Sequence, residues 1–91
     1  MNVKEFKQMV GTGAWVMLAM DWEGDAVIVY EGKAKFIPAK YLEMNVFLKA
    51  QVDEQDEFSE EVVEAMDAEV DAYEELVGRD YELEIWKVYI N

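Results

Sequence analysis

Apolar residues recur at helical spacing in two stretches and form strand-like runs in four others along the chain. The opening "NVKEFKQMV" puts Val3, Phe6 and Met9 or Val10 on one helical face. Asn2 is placed to cap this helix, and Glu5 follows three residues on, as in a capping box. Gly11 then stops it, and "GTG" reads as a joint. "AWVMLAM" (14–20) and "AVIVY" (26–30) are strand-like runs, and "DWEGD" between them supplies Asp and Gly for a hairpin turn. Neither run alternates cleanly, which suits a hairpin covered on both faces. Pro38 has no N–H to donate and ends regular pairing, so "IPAKYL" is read as a turn or one helical turn.

"MNVFLKAQV" (44–52) alternates: Met44, Val46, Leu48, Ala50 and Val52 share one face, with Asn45, Lys49 and Gln51 on the other. A third strand with one wet face is predicted there. In "YELEIWKVYI" (81–90) the apolar parity changes after Ile85, which predicts either a bulge near Ile85–Trp86 or a strand end leaving the sheet. Together the elements give one α+β domain over residues 1–91 in the order α-β-β-β-α-β. The expected architecture is a mostly antiparallel four-stranded sheet with a short N-terminal helix and one long helix on a face.

That long helix, about 59–77, is the most informative segment. Ser59 is the expected N-cap, Phe58 and Val63 hold the staple positions, and Gly78 is the expected left-handed cap. At about 100° per residue, Val62, Val63, Ala65, Met66, Val70, Ala72, Tyr73, Leu76 and Val77 fall in one half-circle. Glu60, Glu61, Glu64, Asp67, Asp71, Glu74 and Glu75 fall in the other. Glu69 is the exception, inside the apolar half, where pairing with a lysine from the sheet or reaching past the core edge would satisfy it.

The charge distribution sharpens this picture. Residues 1–52 carry six acids and six lysines, whereas residues 53–91 carry fifteen acids against Arg79 and Lys87. The net charge of −13 therefore sits wholly in the second segment. Six like-charge pairs on the helix (60/64, 61/64, 64/67, 67/71, 71/74, 71/75) lie at i,i+3 or i,i+4 and cost about 1–3 kcal/mol together at low salt. Glu74 and Glu75 add to that cost at the negative end of the helix dipole. From Glu60 to Glu75 the helix rises about 22 Å, so its seven outer carboxylates are spaced roughly one per 3 Å. A strand of B-DNA presents one phosphate per about 3.4 Å of axis.

A basic protein surface is thus the expected partner, met by Glu60, Glu61, Glu64, Asp67, Asp71, Glu74 and Glu75, with Asp53 and Asp56, along with Glu54 and Glu57, placed to extend the row. Trp22, in the hairpin turn, is the candidate aromatic anchor, while Trp15 and Trp86 are expected in the core. Direct nucleic-acid binding and anionic membranes are disfavoured by the same field. Two other readings of the acidic face stand beside this one: a plain solvated surface, and cation binding.

Little in the chain points to catalysis. Without histidine or cysteine the commonest acid–base groups, thiol nucleophiles and thiolate metal sites are missing. Ser59 and Thr12 are the only Ser or Thr hydroxyls, with nothing to form a triad. "GTGAW" lacks the spacing of a phosphate loop, and "DEQDEFSEEVVE" places Phe58 where a calcium loop needs glycine. No catalytic residue, metal or cofactor is expected. "AWVMLAM" is too short to span a membrane, and Glu5, Gly11 and Gly13 argue against a signal peptide, so a soluble cytoplasmic protein is expected.

A single short domain without Cys or His, bearing the acidic block Asp53–Glu75, resembles the small anti-defence proteins of phages and mobile elements. These include anti-restriction and anti-CRISPR proteins, some of which mimic DNA. The resemblance is one of size and charge, covers under a third of the chain, and carries over no site residue. It implies a stoichiometric inhibitor seated in the nucleic-acid groove of a host enzyme such as a nuclease. The rival expectation is a structural or assembly module that self-associates through its sheet edge or aromatic surface, leaving homo-oligomerisation open.

Overall fold

The computed structural model describes residues 1–55, 57–78 and 81–91. Helix α1 spans Val3–Met9, strand β1 Trp15–Trp22 and strand β2 Asp25–Lys33. Two short 3-10 turns, Ala34–Phe36 and Ala39–Tyr41, lead to strand β3 at Val46–Val52. Helix α2 (Glu60–Val77) and strand β4 (Ile85–Ile90) complete the α+β order expected from the sequence.

The sheet order is β2-β1-β4-β3. β1–β2 and β3–β4 pair antiparallel, but the central pair β1–β4 is parallel, so the sheet is mixed. Central β1 is buried along most of its length, as its unbroken apolar run requires, while β2 and β3 form exposed edges.

Each face of the sheet has its own core. On one side α1 and the 3-10 turns cover Val16, Leu18, Val88 and Ile90, with Val3, Phe6 and Ile37 from the covering layer. Trp86 lies at this layer's edge, its ring T-shaped against Phe6 at 5.6 Å. On the other side α2 brings Met66 onto Trp15, Met17, Phe58 and Ile85. This two-sided burial explains the parity change in β4. No register shift occurs near Ile85; Ile85 faces α2 while Trp86, Val88 and Ile90 face α1.

The bulge lies instead in β3, between Val46 and Leu48. It splits the predicted apolar face of that strand. Val46 pairs with Ile90 and faces α1, whereas Leu48, Ala50 and Val52 pair with Tyr89, Lys87 and Ile85 and face the α2 side. A second irregularity, between Leu18 and Ala19 on β1, sits opposite Val29, the unpaired residue of β2.

Local signals in the chain set several boundaries. Asn2 Oδ1 accepts the Glu5 N–H at 2.8 Å, and Glu5 Oε1 accepts the Asn2 N–H at 3.0 Å, which completes the capping box. Gly78, at φ 75°, closes α2 as a left-handed cap, its N–H bonding the Glu74 carbonyl at 2.7 Å. Ser59 does occupy the N-cap, but its hydroxyl caps nothing. Its N–H instead bonds Glu31 Oε1 at 3.1 Å, which ties the start of α2 to β2.

The β1–β2 hairpin turns through Glu23 (φ 51°) and Gly24 (φ 88°), the two positive φ values that a type I′ turn needs. Glu23 has a Cβ in a region that suits Asn or Gly. Glu23→Asn should therefore stabilise the protein by about 1 kcal/mol. A matched pair of thermal melts checks this; an unchanged or lower midpoint refutes it.

Candidate interaction surface

The sequence-predicted site residues are brought together along α2. Glu60, Glu61, Glu64, Asp67, Asp71 and Glu75 are exposed, and Glu74 is half-buried. Glu74 leans off the outer face, since its Oε1 accepts the Tyr81 N–H at 3.5 Å. Among the described residues the ion pairs are Lys33–Glu69 and Lys87–Glu57, so none of these seven carboxylates is neutralised by one. Asp53 is exposed and shares a crevice of about 480 Å³ with Asp67, Glu82, Val70 and Tyr81, which joins the connector to the helix. Asp56 lies outside the described residues. Trp22 is 67% exposed at the hairpin, on the α1 side of β1 and away from the acidic helix, so anchor and helix do not form one surface.

Glu69 has a positioning role. Its Oε2 accepts the Trp15 indole N–H at 2.8 Å, and its Oε1 pairs with Lys33. The Lys33 ammonium also lies 4.9 Å from the centre of the Trp15 ring and within 3.5 Å of the Gly13 carbonyl oxygen. The exceptional carboxylate thus ties the middle of α2 to β1 and β2 and fixes the rotation that turns Glu60, Glu61, Glu64, Asp67, Asp71 and Glu75 to the outside. Nearby Tyr81 stacks on Tyr73 at 4.1 Å. Burial, then the Glu69 charge, raises its phenol above the ordinary tyrosine value.

The wheel predicted a core stripe along all of α2, and the structure corrects this. Met66 is fully buried, and Val62, Val63 and Val70 are half-buried. Tyr73, Leu76 and Val77 are exposed, Leu76 to 85%. The helix starts beside Glu31, passes Lys33 and Trp15 at Glu69, and reaches Tyr81, ahead of β4, at Tyr73. Its second half, with Asp71 and Glu75, therefore extends beyond its packing on the sheet, while Glu60, Glu61, Glu64 and Asp67 stand on the outer side of the docked half.

The connector carboxylates expected to extend the acidic ridge of α2 do stand beside it, but against an apolar wall that sequence reasoning missed. Glu57, Glu54 and Asp53 line a crevice of about 350 Å³ with Val52, Phe58 and Lys87. Lys87 pairs with Glu57, whose hydrogen bond raises the lysine above its ordinary value. The run "DEQDE" was a signal for these carboxylates, but it gave no hint of the apolar wall behind them. Among the described residues no group of acidic side chains is arranged to hold a metal ion. No described helix is long and apolar enough to cross a membrane. Comparison with protein-family models, with curated proteins and with solved structures finds no match.

Proposed function

We propose that this protein is a non-enzymatic binding domain whose acidic α2 ridge docks in the basic groove of a nucleic-acid-binding protein and excludes nucleic acid from it. The observation that carries this reading is the exposed outer face of α2, whose carboxylates lack ion-pair partners among the described residues and are spaced roughly like phosphates. Lys and Arg side chains of the groove would supply charge-assisted hydrogen bonds, and the field would speed encounter at low salt. A cytoplasmic inhibitor of a host nuclease, as anti-restriction and anti-CRISPR proteins are, is the form of this function that the size and charge favour.

The test is capture from a host lysate on the immobilised protein at low and high salt. Basic nucleic-acid-binding proteins should be retained at low salt, and added DNA or RNA should release them. Retention that ignores both salt and nucleic acid would overturn the mimicry.

A second reading has its own observation. Edge strands β2 and β3 carry the exposed side chains Val27, Ile28, Phe47 and Leu48, as an assembly module would. Light scattering across a salt series separates the two: self-association that strengthens with salt supports assembly, and a monomer at every salt concentration refutes it.

A further inference from the structure

The displaced helix leaves the other end of its sheet face open. Register places one residue from each strand in a single row there: Ile28 of β2, Ala19 of β1, Tyr89 of β4 and Leu48 of β3. Phe47, in the β3 bulge, turns to the same side, its ring 6.1 Å from that of Tyr89. Ile28, Phe47 and Leu48 are each about half exposed (47%, 54% and 54%), Tyr89 is half-buried and the small Ala19 lies buried between its neighbours, and none of the α2 residues in the core on this face packs on the row. A contiguous apolar strip across four strands, bounded by polar residues, is the kind of surface that marks a docking site.

Charge decides what fits it. The two described lysines on this side of the sheet, Lys33 and Lys87, are both paired within the chain, to Glu69 and Glu57. Lys49 of β3 points to the opposite face, opposite Val88. Around the strip stand Asp21 in the next row, Glu31 below it, and Glu60 and Glu61 at the start of α2. A second copy would bring the same carboxylates against these, at a cost in like-charge repulsion. A short amphipathic segment with apolar side chains on one face and Lys or Arg along its flanks meets both the strip and its acidic surround.

We propose that the open half of the sheet, along Ile28, Ala19, Tyr89 and Leu48, docks a basic amphipathic segment of a partner protein. The proposal takes the partner's basic character from the function proposed above, but its apolar anchor lies on the sheet, and it shares with the outer face of α2 only Glu60 and Glu61 at the helix start. The strip supplies what a carboxylate ridge lacks, namely apolar contact that persists when salt screens charge.

The test uses two synthetic peptides of equal length and charge, one alternating Leu and Lys at helical spacing and one with Ser in place of Leu. Binding to the intact protein is followed by calorimetry and by backbone amide NMR. The Leu/Lys peptide should bind the more tightly, perturb amides of β2, β3 and β4 around the strip, and keep most of its affinity at high salt. Ile28→Ser with Leu48→Ser should weaken it about tenfold or more. Both positions are half exposed on edge strands, and an unchanged thermal midpoint will show that the fold is intact. Charge reversal at Glu64, Asp67 and Asp71 of α2 should leave this binding within about twofold if the strip is the anchor, since both the apolar area and the acids around it are untouched. Equal affinity for the two peptides, perturbation confined to α2, or no loss in the double variant overturns the docking strip without touching the proposed role of α2. A salt-promoted dimer that disappears in the double variant also overturns it, by naming a second copy as the occupant.

Discussion

Met66→Ala should destabilise the protein by about 2–5 kcal/mol, a large part of the total for a domain of this size. Met66 is the one residue of α2 buried completely, and it sits among Trp15, Met17, Phe58 and Ile85. Truncating it removes the apolar contact and leaves a cavity under the helix. The remaining docking contacts are half-buried Val62, Val63 and Val70, the Glu69 link to Lys33 and Trp15, and the ties of Ser59 to Glu31 and of Tyr73 and Glu74 to Tyr81. An eighteen-residue helix whose outer face repels itself has little stability once undocked. Melting of α2 ahead of the α1-side core is therefore expected, because Leu18, Val88 and Ile90 on that face do not touch it. Far-ultraviolet circular dichroism against temperature should show helix loss before the main transition, and hydrogen exchange should show weakened protection in α2. Met66→Leu, which conserves volume, should cost less than about 1.5 kcal/mol. If Met66→Ala melts within a degree or so of the parent, the helix is held by something other than this contact.

What was readable in the sequence, and what was not, follows the range of each interaction. The Asn2–Glu5 capping box, the Glu23–Gly24 turn and the Gly78 cap are set by neighbours three or four residues away, and each stands where the chain placed it. Lys33 as the partner of Glu69 was legible in kind, since a carboxylate on an apolar face needs a cation. The parallel pairing of Trp15–Met20 with Ile85–Ile90 joins segments some seventy residues apart, and no local period encodes it.

Alternation misled in β3, where the bulge at Phe47 sends Val46 to one core and Leu48 to the open face. In β4 alternation was sound, but the change of parity reflected two covered faces rather than a bulge. The wheel for α2 gave the direction of its apolar side and nothing about what lies opposite. Leu76 and Met66 share that side, and one is 85% exposed while the other is fully buried. The candidate ridge was therefore legible because it depends on one helix alone. The open strip was not, because it needs four strands in register and a helix shifted along them.

Reversing Glu64, Asp67 and Asp71 to Lys should abolish binding of the basic partner while making the fold no less stable. The six like-charge pairs on α2 all involve one of these positions. In the variant, 60/64, 61/64, 71/74 and 71/75 become attractive, and 64/67 and 67/71 stay repulsive as lysine pairs. Each converted pair shifts helix stability by about 0.4–1 kcal/mol at low salt, so the four together favour the variant by about 2–4 kcal/mol before screening. Lys at 67 would also face Asp53 and Glu82 across their shared crevice. Against a groove of Lys and Arg, three reversals turn attraction into like-charge contact, worth several kcal/mol, so affinity should fall by about 100-fold or more.

The two readouts together separate a working surface from a solvated one. A variant that melts higher but no longer captures its partner shows that the parent carries its repulsion for binding. A variant that melts higher and still captures the same proteins shows that the ridge is only wet surface, and the proposed function fails. Thermal melting and capture at matched low salt, on the same two samples, give both answers.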